Sequence, residues 1–130
     1  MNDFSKSLAV SASGLKAQAS RLVHLSENIS NADTPGYRRK TVSFESHSSD
    51  PGGVAEVEVS RVRLDRRDLV RIHDPSHPLA DATGYYEGSN VDLMIEIADA
   101  REAQRGYEAN LKMFDQARQM SSSLMDLLRK

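Results

Sequence analysis

Regularly spaced apolar residues near both ends of this 130-residue chain constrain its fold more than any other feature. In the first stretch, small and apolar residues recur at alternating steps of four and three, a spacing that places them along one side of a helix. This N-terminal row consists of Leu8, Ala12, Leu15, Ala19, Leu22, Ser26 and Ile29. It predicts one helix over residues 4–29, in which Gly14 allows a neighbour to approach closely.

Two neighbouring rows near the C-terminus predict a second helix. The first C-terminal row consists of Met113, Ala117, Met120, Leu124 and Leu127, and the second of Tyr107, Leu111, Phe114, Ser121, Met125 and Leu128. Together they form an apolar face wider than a two-stranded coiled coil needs. We expect this helix to begin near Asn90, whose side chain is a suitable cap, and to end near Leu128. Gly106 lies midway and marks a kink or a close contact.

The segment between the helices is short, polar and predicted to contain β-strands. Residues 38–45 and 54–64 alternate apolar and polar side chains, as half-buried strands do, with a bulge expected near Arg61. Residues 69–72 add a further short strand, and residues 74–90 are expected to be irregular because they contain two Pro and two Gly. The predicted fold is mainly α, with long N- and C-terminal helices paired in a coiled-coil-like layer and a small β-hairpin and irregular middle region.

Composition indicates that this chain completes its core with other chains. Hydrophobic residues make up 38% of the sequence, and the middle region is too polar to cover both helices. Packing of the two helices on each other within a monomer is the alternative, but it leaves the second C-terminal row uncovered. Contiguous apolar surface of this length marks an interface. We divide the chain into an N-terminal assembly helix and turn motif at 1–37, a middle region at 38–89 and a C-terminal assembly helix at 90–130.

Charge and composition exclude several classes of function. The chain has 17 basic and 19 acidic residues, so it has no overall basic surface of the kind that binds nucleic acid. It has no Cys, which excludes disulfides and thiolate chemistry. Its start lacks the features of a cleaved signal peptide, and no apolar run approaches the ~20 residues of a membrane span. The expected location is the cytoplasm, unless export uses no cleaved signal.

No pattern of residues predicts catalysis, a cofactor or a metal centre. His73 and His77 have a spacing that binds zinc when a helix stacks the two rings, but Pro75 and Pro78 prevent a helix there. No Ser lies on a nucleophile turn, and no Gly-rich loop follows a strand. Residues 65–71 contain three arginines among two acidic residues. We favour a solvated charged turn for this segment over a small patch for an anionic partner.

The sequence at the end of the first predicted helix resembles a motif of flagellar rod and hook proteins. The motif is NISNADTPGY at residues 28–37, followed by RRKTVSFE. A second match lies at residues 90–120, where NVDLMIEIADAREAQRGYEANLKMFDQARQM resembles the C-terminal helix of the same family. The segment HPLADATGYYEGSNVD at residues 77–92 narrows the resemblance to the proximal rod members.

The resemblance implies a structural, non-enzymatic subunit of the bacterial flagellar basal-body rod, the shaft that transmits torque. Such a subunit needs no cofactor and no small-molecule substrate. It is exported by the flagellar type III export apparatus without a cleaved signal peptide. It is located in the periplasmic rod, where its partners are other copies of itself and other rod and basal-body proteins. The alternatives are a cytoplasmic coiled-coil adaptor or export chaperone, and the sister proximal-rod type.

The terminal helices are expected to supply the assembly interface, and the turn motif to fix the angle at which the chain leaves the first helix. The interface residues are Leu8, Ala12, Leu15, Ala19, Leu22, Ile29, Tyr107, Leu111, Phe114, Ala117, Met120, Leu124 and Leu128. The turn motif residues are Asn28, Asn31, Pro35, Gly36 and Tyr37. Tyr107 and Asn110 are expected to supply matching hydrogen bonds from the second helix.

Overall fold

Two long antiparallel helices and three small antiparallel sheets make up the fold. The computed structural model describes residues 3–129. The two helices and small sheets confirm the predicted fold class, which is mainly α with a small β region. In chain order the elements are α1 (Asp3–Ser30), β1 (Lys40–Thr41), β2 (Phe44–His47), β3 (Glu56–Val59), β4 (Arg63–Leu64), β5 (Arg71–His73), β6 (Tyr85–Glu87) and α2 (Leu93–Leu128).

The first four strands form one long hairpin with an interruption in each arm. Strand β1 pairs with β4 at its base, and β2 pairs with β3 towards its tip. The interruption at residues 60–62 lies at the bulge predicted near Arg61. A second hairpin joins β5 to β6. The expectation of irregular structure over residues 74–90 was wrong at β6, because three residues are too few to show an alternating pattern.

The two helices approach closely at their glycines. Gly14 of α1 lies opposite Asn110 of α2, and Gly106 of α2 lies opposite Gln18 of α1. A Cβ atom added to Gly14 would lie 2.5 Å from Asn110 Oδ1, and one added to Gly106 would lie 2.6 Å from Gln18 Nε2. The close contacts predicted for both glycines are therefore confirmed. Each glycine permits a side chain of the other helix to approach its backbone as no larger residue would.

Small residues supply most of the fully buried hydrophobic positions in the described part of the chain. Among residues 3–129, the buried hydrophobic residues are Ala17, Leu25, Ala103 and Ala117. In the N-terminal row, Ala12 and Ala19 are exposed and the larger residues are half-buried. Despite this exposed apolar surface, the described part of the chain has no helix apolar enough to cross a membrane. The single chain thus has a very small core.

Helix α2 begins three residues later than the sequence predicted. Its N-cap is Asp92, whose side chain accepts a hydrogen bond from the Met94 amide at 3.1 Å. The expectation that Asn90 caps this helix was wrong. The Asn90 side chain is engaged elsewhere, because it accepts a hydrogen bond from the Arg39 amide at 2.7 Å and donates to two carbonyl oxygens of the middle region.

We predict that Gly14→Leu lowers the free energy of unfolding by about 1–3 kcal/mol, because the added side chain has no room beside Asn110. Thermal unfolding followed by circular dichroism measures the change. Ala19→Leu, an exposed position on the same helix, is the matched control and should leave the midpoint nearly unchanged. Equal midpoints for the two variants would contradict the close helix contact.

Candidate assembly site

The turn motif forms a compact, hydrogen-bonded corner after α1. The Tyr37 amide donates to the Thr34 carbonyl at 3.2 Å, and Gly36 has a φ of 76°, as a type II turn requires. Asn31 Nδ2 donates to the Glu27 carbonyl at 2.8 Å and so satisfies a terminal acceptor of α1. The Gly36 amide donates to the Gly88 carbonyl at 3.0 Å, which fastens the corner to the second hairpin.

Asn28, in the last turns of α1, is fully buried and uses its whole hydrogen-bonding capacity. Its Nδ2 donates to the Lys40 carbonyl at 2.9 Å and to Glu96 Oε2 at 3.1 Å. Its Oδ1 accepts from the Tyr37 hydroxyl at 2.8 Å and from the Lys40 amide at 2.8 Å. One side chain therefore joins α1, the chain leaving the turn, and α2.

Glu96 places a carboxylate in the interior beside Asn28. It is fully buried on α2, and its Oε1 accepts a hydrogen bond from Arg39 Nε at 2.6 Å. Arg39 also donates to Asp65 Oδ2 at 3.2 Å. Burial alone would lower the pKa of Arg39, but the hydrogen bonds and charges of Glu96 and Asp65 outweigh it and raise that pKa. The buried carboxylate is thus paired, as its desolvation requires.

Asp65 and Asn90 complete this group of polar side chains. Asp65 Oδ1 accepts from the Arg67 amide at 2.9 Å, and this bond, with the Arg39 and Arg67 guanidinium groups, lowers the pKa of Asp65. Asn90 Nδ2 donates to the carbonyl oxygens of Asp65 and Arg67 at 3.0 and 3.2 Å. We call the following residues the polar junction: Asn28, Tyr37, Arg39, Asp65, Asn90 and Glu96.

The structure separates the predicted turn residues into two groups. Asn28 and Tyr37 lie in the polar junction, while Asn31, Pro35 and Gly36 form the corner itself. The expectation that Asn110 bonds to the turn was wrong: its Nδ2 donates to the Gly106 carbonyl of its own helix at 2.8 Å. On α2, the residue that bonds to Asn28 is Glu96.

The sequence analysis did not predict three residues of the polar junction: Arg39, Asp65 and Glu96. Arg39 and Asp65 stand in charged segments, where nothing distinguishes them from solvated neighbours. Glu96 does carry a signal, because it is the acidic residue in the apolar run from Leu93 to Ile97. A charge at a position otherwise suited to burial indicates a buried partner.

One side of the helix pair is covered by the first hairpin and the opposite side is open. Strand β3 lies against α1, where the Val57 amide donates to Ser13 Oγ at 3.0 Å. Helical spacing places the N-terminal row on the side of α1 away from Ser13, next to Leu93, Ile97 and Leu111 of antiparallel α2. These three residues are exposed. We call this surface the open side: Leu8, Ala12, Leu15, Ala19, Leu22, Ile29, Leu93, Ile97 and Leu111.

The C-terminal rows are divided between the helix contact and solvent. Ala117 is buried, and Tyr107 and Phe114 are half-buried. The register that pairs Gly14 with Asn110 sets Asp3 opposite about residue 121, so residues 122–128 of α2 extend past the described start of α1. Leu128 is 78% exposed there. The other exposed residues of the C-terminal rows are Leu111, Met113, Met120, Leu124, Met125 and Leu127.

The two histidines considered for metal binding contact tyrosine rings of the second hairpin. His73 meets Tyr85 edge-on with ring centroids 4.7 Å apart, and His77 stacks on Tyr86 at 3.9 Å. His77 Nδ1 also accepts a hydrogen bond from the Leu79 amide at 3.1 Å, so that nitrogen is engaged. Across residues 3–129, no three His, Cys, Asp or Glu side chains are grouped so as to hold a metal ion.

Comparison with known proteins places both helices in flagellar families. A family described as flagella basal body rod protein matches residues 8–38, and one described as flagellar basal body rod FlgEFG protein C-terminal matches residues 82–127. The flagellar basal-body rod protein FlgC of Agrobacterium fabrum is 44% identical, over 99% of this chain and 98% of its own. The FlgC proteins of Bacillus subtilis and Salmonella typhimurium are 32% and 30% identical, over 93% and 91% of this chain and 95% and 92% of theirs.

We predict that Glu96→Ala lowers the free energy of unfolding by about 3–5 kcal/mol, because it leaves the Arg39 guanidinium and the Asn28 amide without their partner. Urea unfolding measures the change. Glu102→Ala removes a largely exposed carboxylate from the same helix and should cost under about 1 kcal/mol. A cost for Glu96→Ala as small as that of the control would show that the junction contributes little to stability.

The lowered pKa of Asp65 predicts a loss of stability in acid. A carboxylate whose pKa falls on folding stabilises the folded state at pH values above its ordinary pKa, which is 3.8 for Asp. This contribution disappears as the pH falls through the lower pKa of the folded state. Asp65→Asn should therefore lower the free energy of unfolding at pH 7. At low pH, the difference in this free energy between the variant and the unsubstituted chain should become smaller. Unfolding measured at several pH values tests this, and a constant difference would contradict it.

Proposed function

We propose that this chain, which belongs to the flagellar basal-body rod protein family, is a structural subunit of the flagellar rod that assembles through the apolar surfaces of its helix pair. Similarity to FlgC proteins over almost the whole chain supports this function. The structural observation that carries the proposal is the small core of the single chain: among residues 3–129, three of the four buried hydrophobic residues are Ala.

Most of the predicted interface residues lie where neighbouring subunits could cover them. Leu8, Leu15, Leu22 and Ile29 are half-buried on the open side, where Leu111 is exposed. Burial of one such Leu side chain stabilises association by about 1.5–3 kcal/mol. Met120, Leu124 and Leu128 supply a second exposed surface towards the end of α2. Ala117, Tyr107 and Phe114 contribute indirectly, because they hold α2 against α1.

The three segments of the chain have different roles in this proposal. Residues 1–37 and 90–130 form the assembly layer, and the turn motif with the polar junction sets the angle between this layer and residues 38–89. Partners are other copies of the chain and other rod and basal-body proteins, in the basal body of the flagellum. The finer location is the periplasmic part of the rod, which the subunit reaches through the flagellar type III export apparatus without a cleaved signal peptide.

The alternative functions are less well supported. A cytoplasmic adaptor or export chaperone would also expose apolar helix surfaces, but the matching relatives carry the names of rod proteins. The same names favour FlgC over the sister proximal-rod type. The family consists of structural proteins, and we assign the chain no catalytic residue, cofactor, nucleic-acid partner or small-molecule substrate.

We predict that Leu15→Asp or Leu111→Asp reduces incorporation of the subunit into basal bodies at least about tenfold, because each places a charge in the apolar contact between subunits. Motility should fall as incorporation of the subunit falls. Swarming in soft agar and immunoblots of purified basal bodies measure the two effects.

Ala109→Asp is the matched control, because it adds the same charge at an exposed position of α2 that helical spacing places away from the open side. Circular dichroism must show that all three variants retain the helix content of the unsubstituted chain. Normal motility of both Leu variants would overturn the proposed interface. Recovery of the unsubstituted chain only from the cytosol, with none in basal bodies, would favour an adaptor.

A further inference from the structure

The outer face of the β2–β3 hairpin is acidic and uncovered. The hairpin turns Val57 and Val59 inwards, and these residues are half-buried. Its other face presents Glu45, Glu56 and Glu58, all exposed. Glu45 lies directly opposite Glu58 in the ladder, and like charges in that position repel.

No ion pair with a lysine or arginine relieves this repulsion within the described part of the chain. Within residues 3–129, the one ion pair recorded for these three carboxylates joins Glu58 to His47 at 3.7 Å, and it depends on a protonated histidine. A two-stranded hairpin is marginal without other support, so an unrelieved repulsion across it has a cost. A cationic surface packed on this face would remove that cost.

A matching set of positive charges lies at residues 61–66, which follow β3 and include β4. Arg61, Arg63 and Arg66 are exposed, and in the described part of the chain none of them forms an ion pair. Arg39 and Arg67, in contrast, are paired with Asp65. Within residues 3–129, the three arginines of this segment and the three acidic residues of the hairpin thus lie on two surfaces that do not pair with each other.

We propose that the acidic face of the hairpin docks onto the arginine segment of a neighbouring copy of the same chain. The partner surface is defined as Arg61, Arg63 and Arg66 of that copy. This inference rests on the proposed function, because it needs several copies in one assembly, and it gives the middle region a role that the helices do not fill.

Charge complementarity identifies a second copy as the occupant. Each copy supplies one surface of each sign, so the same contact can repeat along an assembly without two copies closing into a dimer. Opposed charges also fix the orientation in which two copies meet and repel incorrect arrangements. The apolar helix surfaces do little to fix the relative orientation of two copies, because the hydrophobic effect is non-directional.

Charge reversal on each surface, and then on both, tests the contact in full-length chains. E45R/E58R keeps the two opposed positions alike in charge, so the hairpin gains no new repulsion. R63E/R66E reverses the partner surface. Each variant should lower the amount of subunit in purified basal bodies roughly tenfold, and the chain carrying all four substitutions should recover to within about twofold.

D33R/E102R is the matched control, because it changes the net charge as E45R/E58R does, at exposed positions that lie outside the hairpin and off the open side. It should leave incorporation unchanged. The proposal is overturned if the fourfold variant stays as low as either double variant, or if the double variants match the control. Absence of even the unsubstituted chain from basal bodies would instead refute the proposed function.

Cysteine cross-linking tests the geometry independently, since the chain has no native Cys. Cells would express two chains together, one with Glu58→Cys and one with Arg63→Cys, so that any disulfide dimer of the two must join different copies. Oxidation of purified basal bodies should yield that dimer. Glu108→Cys with Arg63→Cys should not. Incorporation of both chains without a dimer would contradict the contact.

Discussion

The buried contact between Asn28 and Glu96 is the constraint on which the rest of the structure depends. Asn28 has no exposed surface, and its four hydrogen bonds join α1 to two other segments, the chain leaving the turn and α2. A buried amide that loses a partner costs about 1–3 kcal/mol, so these segments cannot shift separately. A slip of one residue along α2 would rotate Glu96 by about 100° away from Asn28. The junction therefore sets the register of the helices as well as the path of the turn.

That register brings the small side of each helix against the other. Gly14 and Gly106 meet side chains rather than backbone, and Ala17 and Ala103 are the most fully buried apolar residues. The close approach of the two helices gives many dispersion contacts. It removes little apolar area from water, since Ala contributes a single methyl group. Directional hydrogen bonds and ion pairs of the polar junction hold the helix pair together where α1 ends and α2 begins. Along the rest of the pair, small residues make contacts that stabilise only weakly.

The sequence predicts the elements of this fold better than their contacts. Apolar periodicity located both helices to within a few residues, because it depends only on the helical repeat. It could not show which sides face each other, since Ser11, Gly14, Gln18, Arg21, Leu25 and Asn28 follow the same steps of three and four as the N-terminal row. Hydrophobicity singled out the N-terminal row, which we assign to assembly, and gave no indication of the set that forms the contact within the chain. Glu96 and Arg39 were missed for a related reason: the periodicity counted apolar residues only.

The distribution of polar and apolar groups makes assembly the favourable state of this subunit. Among residues 3–129, a carboxylate and an amide are the largest fully buried side chains, while Leu, Met and Ile side chains line the surface. Water-exposed apolar area is removed only by a second chain, and the hairpin already covers one side of α1. The surfaces left uncovered, the open side and the end of α2, therefore differ from each other. Contacts between unlike surfaces leave one surface of each copy free for the next copy, so they can continue from copy to copy, as a rod requires.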